Sequence, residues 1–279
     1  KRYKAAVLKA AVEGRLVETE AELARREGRS FETGAQLLQR ILETRRSQWQ
    51  GKGKYKEPAA ADTTDLPELP EGWVWTNCDA VLLRIEAGAS FKCIERPPVG
   101  DETGVLKVSA VTWGEFDELE SKTCVDPERI EESYLVQGGD FLFSRANTID
   151  LVGACVIAKE VSMRLMLSDK TLRFRISSLV SVHWLLTCLR SKWGRLEIER
   201  LATGNQESMR NIGQDRIRQI RIPLPPLAEQ SRIVLEIDRR FTSSTEVEKQ
   251  VKQNSIRANR LGMAILSKAF HKHDVPSPL

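Results

Sequence analysis

Ile222-Pro223-Leu224-Pro225-Pro226-Leu227-Ala228-Glu229-Gln230, followed by Arg232-Ile233-Val234, divides this 279-residue chain into two textures. The prolines end the run before them, because proline donates no backbone hydrogen bond and holds φ fixed. At a helix's first turn proline costs little, so Pro226 is well placed to start a helix. Beyond it Val234, Ile237, Phe241, Ser244, Val247, Val251, Asn254, Ala258, Leu261 and Ile265 step by 3, 4, 3, 3, 4, 3, 4, 3 and 4. That spacing predicts a coiled-coil-like seam with one three-residue stammer. A helix of about 45 residues would run roughly 65–70 Å at about 1.5 Å per residue. It is too long to bury its stripe on its own small domain and calls for another helix.

Upstream, residues 66–222 read as a separate domain, entered through Leu66-Pro-Glu-Leu-Pro-Glu-Gly-Trp73. Short apolar and β-branched runs recur at Val105–Val111, Tyr134–Val136, Phe141–Phe143, Leu151–Ile157 and Leu172–Ile176, separated by Gly, Asp and Pro. His183–Leu201 keeps helical spacing among them. The expectation is α+β: one mixed α/β domain flanked by long helices that form an antiparallel coiled-coil-like spacer. Residues 51–65, polar and small, read as a linker. Residues 1–50 read as helical, with Tyr3, Val7, Ala10, Ala11 and Leu16 on one stripe ending near Gly14. A second segment carries Phe31, Ala35, Leu38, Ile41, Leu42, Arg45 and Arg46, with Trp49 near its end. Val7-Leu-Lys-Ala-Ala-Val12 echoes Ile265-Leu-Ser-Lys-Ala-Phe270. Either this is an internal repeat, making the chain one unit of a tandem, or two alanine-rich amphipathic helices look alike.

Hydrophobic residues make up 41% of the chain and charged residues 29%, a foldable balance. No apolar run approaches the roughly 18–20 residues of a membrane span, and the N-terminus lacks a signal peptide's apolar stretch. The expected location is cytoplasmic, with no membrane partner. The net charge of +4 is uneven. Glu68–Gly139 holds six Lys/Arg against fifteen Asp/Glu, a balance of −9, and Asp140–Ile222 fourteen against eight, a balance of +6. The second half is therefore the candidate face for a polyanion, although charge alone fits two ordinary solvated surfaces.

Catalytic constellations are missing from the sequence. No glycine-rich phosphate loop occurs, and a triad would have to rest on His183, which sits between Val182 and Trp184 on an apolar helix. Glu120-Ser-Lys122 lacks the Pro-Asp pair of a nuclease motif. Cys78, Cys93, Cys124, Cys155 and Cys188 are scattered singly and read as buried thiols. His271-Lys-His273 reads as a tail rather than a metal site, so no metal is expected.

Three polar clusters remain, all in the basic half: Leu142–Thr148, Ser168–Arg175 and Ala202–Asn211. They offer Arg and Lys for guanine, Asn and Gln for adenine, and Ser and Thr for bases or phosphates. Each taken alone also fits an ordinary turn or loop. Arg173 and Arg175 alternate with Leu172, Phe174 and Ile176, as strand residues facing away from a core would.

On these residues the chain resembles the specificity subunit of Type I restriction-modification enzymes. The likeness rests on Leu66–Trp73, on Gly139-Asp-Phe-Leu-Phe-Ser-Arg-Ala-Asn147, on Ser168–Arg173, on Thr203-Gly-Asn-Gln206, and above all on Ile222–Gln230. The resemblance implies two target-recognition domains held apart by antiparallel helices, each reading part of a split double-stranded DNA target. It also implies docked methyltransferase and restriction subunits. No cofactor is expected on this chain, and adenosylmethionine belongs to the methyltransferase partner only. This chain carries one such domain, so it is a C-terminal half, favoured by Lys1 entering in mid-helix, or a half-length subunit that forms a homodimer. The implied DNA contacts are Arg145, Asn147 and Thr148, then Lys170 and Arg173, then Asn205, Gln206, Arg210 and Asn211, with Lys92 as an outlier. The dimer or spacer seam would run through Val234, Ile237, Phe241, Val247, Val251, Leu261 and Ile265. The rival readings are a stand-alone DNA-binding regulator, which needs no methyltransferase, and a helical scaffold, whose DNA binding would be absent or insensitive to salt.

Overall fold

Two threonines open helices by one device. Thr19 accepts a hydrogen bond from Glu22 N–H at 3.2 Å while the Glu22 carboxylate accepts from Thr19 N–H at 2.9 Å. Thr33 and Gln36 repeat this reciprocal pairing at 3.2 and 2.8 Å, so donors left unpaired at a helix start are satisfied locally. The structure, a computed structural model, describes residues 2–51, 53–206 and 209–271. The side chains of residues 205, 206, 265 and 267–271 lie outside the described set.

The chain runs through α1 (Arg2–Val12), α2 (Glu20–Glu27), α3 (Gly34–Ser47), β1 (Val74–Asn77), α4 (Cys78–Val81) and β2 (Leu82–Ala87). Then come β3 (Cys93–Ile94), β4 (Gly104–Leu106), β5 (Ser121–Cys124), β6 (Phe141–Ser144), β7 (Ala146–Asn147), β8 (Cys155–Ile157) and β9 (Leu165–Met166). It closes with β10 (Thr171–Ile176), α5 (Val182–Arg190), α6 (Lys192–Leu201), β11 (Thr203–Gln206), β12 (Met209–Asn211), α7 (Gln214–Arg218), β13 (Arg221–Leu224) and α8 (Leu227–His271). Lys1–Val234 form one compact unit and Leu235–Leu279 a second.

Within the first unit the central sheet has the order β2-β10-β6-β8. Phe141 and Phe143, two residues apart on β6, share a face and stack on Phe174 of β10 at centroid distances of 5.4 and 5.0 Å. On the other face Leu142 and Val156 pack with Leu106 and Leu165 of the second sheet, β3-β5-β4-β9, and with Val111 and Val136 from the loops that follow β4 and β5. Phe141, Phe143 and Phe174 on one face and Leu142 and Val156 on the other are all buried, so both faces of the central sheet are covered. The expected runs at Phe141–Phe143 and Leu172–Ile176 are strands, whereas at Tyr134–Val136 a 3-10 turn (Glu132–Tyr134) ends and Leu135 makes an isolated bridge to Met166.

His183–Leu201 is two helices rather than one. Ser191 ends α5 and caps α6: its hydroxyl donates to the Cys188 carbonyl at 2.7 Å and accepts from Gly194 N–H at 3.1 Å. A Cβ on Gly194 would lie 2.2 Å from the Cys188 oxygen, so the tight joint needs glycine. His183 is exposed on α5. Cys78, Cys155 and Cys188 are buried, and burial pushes the Cys155 thiol up to about 11. Cys93 and Cys124 are only half-buried, as cross-strand partners on β3 and β5, which corrects the expectation that all five are buried.

The domain is tied shut at its ends. Entry strand β1 pairs antiparallel with exit strand β13, with Val74 opposite Leu224 and Trp75 opposite Pro223. Pro223 therefore lies inside a strand, where it forgoes one ladder bond, and the helix starts at Leu227. Glu229 and Gln230 fasten this junction. The Glu229 carboxylate accepts from Glu20 N–H at 2.9 Å and from the Trp73 indole N–H at 3.0 Å. Gln230 accepts from Ser181 N–H at 2.9 Å and donates to the Pro225 carbonyl at 3.0 Å. Both side chains are fully buried, so the pair joins α2, the domain entrance, α5 and the base of α8. The segment 51–65 has no helix or strand among its described residues, yet the Ala59 and Ala60 carbonyls accept from the Asn77 amide at 3.1 and 3.3 Å.

In α8, which spans 45 residues, the seam residues differ. Ile237 is buried, Val234 and Phe241 are half-buried, and Val247, Val251 and Leu261 are exposed. The Ile265 side chain lies outside the described residues.

Candidate nucleic-acid interface

Arg145 stands where the three polar clusters meet. Its backbone N–H donates to the Lys170 carbonyl at 2.9 Å, and its own carbonyl accepts from Ile212 N–H at 2.9 Å. The short strand β7, next in the chain, pairs with β12, placing Ala146 opposite Asn211 and Asn147 opposite Arg210. β12 in turn pairs with β11, where Thr203 faces Asn211. Segments far apart in sequence are thus held side by side by main-chain bonds, the rigid support that a recognition constellation needs.

Side-chain bonds extend this frame. Arg145 Nε donates to Asn211 Oδ1 at 3.4 Å, and the Asn211 carbonyl accepts from the Thr203 hydroxyl at 3.1 Å. Beside them lies an open cleft of about 400 Å³ lined by Arg145, Thr203, Asn211, Gln214, Asp215 and Arg216. Lys170 and Thr148 are exposed and Asn147 half-buried at its edge strand, where Asn147 Oδ1 accepts from Thr148 N–H at 2.9 Å. Arg210 gives one terminal amine to the Gly204 carbonyl of its own hairpin. The side chains of Asn205 and Gln206 lie outside the described residues. Lys92 is exposed next to β3, and among the described residues no hydrogen bond joins it to the Arg145 group.

Arg173 is corrected. It does alternate with core residues, but the face it occupies is covered, and it is only 3% exposed. Its Nε donates to Glu86 at 2.6 Å, Nη1 to Asp140 at 3.0 Å and to the Leu135 carbonyl at 2.7 Å, and Nη2 to the Ser133 carbonyl at 2.7 Å. Arg175 reaches the same two carboxylates at 3.2 and 3.1 Å while keeping 39% of its side chain exposed. Burial pushes the Glu86 carboxyl up, and the two guanidiniums outweigh it, leaving the group below its ordinary value. Arg173 is a structural cation, closed to DNA by its own partners.

Sequence reasoning passed over Gln214, Asp215 and Arg216. The signal was a polar run after Gly213, which periodicity does not separate from a plain turn. Among the described residues no cluster of His, Cys, Asp and Glu could hold a metal ion, and no helix is long and apolar enough to cross a membrane.

A family model for the Type I restriction modification DNA specificity domain matches residues 117–257. The Type I restriction enzyme EcoEI specificity subunit of Escherichia coli is 32% identical over 241 residues, covering 84% of this chain and 39% of that subunit. The EcoKI specificity subunit of Escherichia coli strain K12 is 28% identical over 196 residues, covering 70% of this chain and 41% of its own. The chain thus spans about two fifths of the length of these curated relatives. Among solved structures, a chain from a study of complex assembly in a type I R-M system superposes with a TM-score of 0.53 at 20% identity. That match covers 96% of this chain and 58% of the other, and it speaks for the fold alone.

Proposed function

Because the chain belongs to the family of Type I restriction-modification DNA specificity domains, we propose that it is a sequence-reading, non-catalytic subunit that directs a methyltransferase and a restriction subunit to a split site on double-stranded DNA. The meeting of three polar, cationic segments at Arg145 carries this reading. Arg145, Lys170, Arg210 and Arg216 supply charge for phosphates and base edges, and Asn147, Thr148, Thr203 and Gln214 supply neutral donors and acceptors. Adenosylmethionine is bound on the methyltransferase partner. The complex works in the cytoplasm, and the exposed stripe Val247-Val251-Leu261 pairs with another long helix, in a second copy where this chain acts as a half subunit. A stiff helical spacer then sets the distance between two readers, as a rigid dimer sets half-site spacing.

The test is to co-express the chain with the methyltransferase encoded beside it, purify the complex and map methylation on random-sequence DNA. Methylation at one defined motif is the expected result. Failure to form a complex, or methylation without sequence preference, would refute the proposal.

A further inference from the structure

We propose that the cleft beside β12 reads one G·C base pair, with Arg145 contacting the guanine and Asn211 acting as a positioning residue rather than a base reader. This rests on the DNA-recognition reading above. A guanidinium carries five N–H donors in a planar fork. Asn211 Oδ1 accepts from the Nε donor at 3.4 Å, which orients the group. Among the described residues, Arg145 donates from neither Nη1 nor Nη2 and forms no ion pair. Those two amines are the pair that meets O6 and N7 of guanine in the major groove. Arg173 differs, with its Nε and both terminal amines occupied inside the protein, and Arg210 gives one amine to Gly204. Of the three arginines in the polar clusters' implied contact set, Arg145 alone lines the cleft with its fork open.

The cleft's other charges favour a base over a phosphate. Asp215 lines the same cleft, and a carboxylate repels phosphate but accepts from the N4 amino group of cytosine. Arg216 lies next to it, with one amine donating to the Leu201 carbonyl at 3.0 Å. Asn211 is itself held, its carbonyl bonded to Thr203 and its backbone paired with Ala146. The chain Thr203–Asn211–Arg145 therefore sets the reader's direction before DNA arrives.

The experiment uses the methyltransferase complex and, as probes, duplexes carrying the mapped motif and each of its single-base variants, with binding read by fluorescence anisotropy. Arg145→Ala is expected to weaken binding about 5- to 150-fold on the motif, with discrimination lost at a single G·C pair. Arg145→Gln moves the preference at that pair from guanine towards adenine. Asn211→Ala loosens discrimination at the same pair and nowhere else. The salt dependence of binding is unchanged. Equal weakening on every duplex, with a salt slope reduced by about 0.9, would make Arg145 a phosphate contact and overturn the inference. So would a selective wild-type complex whose selectivity survives Arg145→Ala. A wild-type complex with no sequence preference would instead sink the recognition reading, and this inference with it.

Discussion

Replacing Arg173 with methionine separates a residue that holds the fold from Arg145, the one proposed to read DNA. Methionine roughly matches the side chain's apolar stem but provides none of its donors. The change leaves Asp140, whose side chain is 5% exposed, and Glu86, 17% exposed, without their main counter-ion. It also strands the Leu135 and Ser133 carbonyls. Removing one partner of a buried ion pair costs about 3–5 kcal/mol. Arg175 already touches both carboxylates and compensates in part, which places the expected loss near the lower end, about 3 kcal/mol. For a unit of this size that lowers the melting temperature by roughly 6–12 °C. Arg145→Ala, in which a half-exposed side chain loses one long hydrogen bond, should stay within about 0.5 kcal/mol of the wild type. The assay is urea and thermal denaturation monitored by circular dichroism, with both variants side by side. If Arg173→Met melts like the wild type and instead loses sequence selectivity, the assignment of Arg173 to the interior is wrong.

Other contacts make four more outcomes testable. Glu197, buried against Arg221 with oxygen–nitrogen contacts of 2.6–3.1 Å, is pushed up by burial and drawn down further by Arg221 and Arg200, to about 2. Below the unfolded value of about 4.5 this stability is lost progressively towards pH 2, so Glu197→Gln should flatten the acid limb of a pH–stability curve and cost roughly 3 kcal/mol at pH 7. Burial holds the Glu229 carboxyl above its ordinary value, so its ionisation opposes folding, and its contribution declines as pH rises from about 4.5 through the folded value. Glu229→Ala strands the Glu20 and Trp73 donors and should cost about 1–3 kcal/mol for each, with a shift in tryptophan fluorescence as the local probe. Lys170→Ala should weaken DNA binding evenly across sequences and reduce the salt slope by about 0.9, measured by titration at several salt concentrations. The chain should sediment as a dimer at tens of micromolar, and Val251→Asp with Leu261→Asp should return it to a monomer in analytical ultracentrifugation.

Much of the fold was legible along the chain because its causes are local. The periodic stripe after Pro226 announces one long helix, and α8 begins at Leu227. The apolar run Phe141–Phe143 and the alternation at Leu172–Ile176 announce the strands that form the sheet's centre. Thr19-x-x-Glu22 carried the signal for α2, a capping box that periodicity alone passes over because eight residues are too few to show a stripe. Ser191 between two helical runs carried the break between α5 and α6.

The candidate interface was half legible. Composition and charge located three polar segments, but not which side chains remain open. Arg145 and Arg173 look alike in sequence, each beside apolar strand residues. Alternation fixes which face of a strand a side chain takes, and it says nothing of what covers that face. Ser133 and Leu135, brought in from elsewhere in the chain, close over Arg173, while Asn211 and Thr203 arrive beside Arg145 and leave its fork open. The meanings of Glu229 and Gln230 likewise depend on Glu20, Trp73 and Ser181, up to 209 residues away. Local spacing and capping chemistry determined the helices, the central strands and the polar segments. Long-range packing, which brings distant donors and acceptors within about 3 Å of one another, decided which charges hold the fold and which face the cleft.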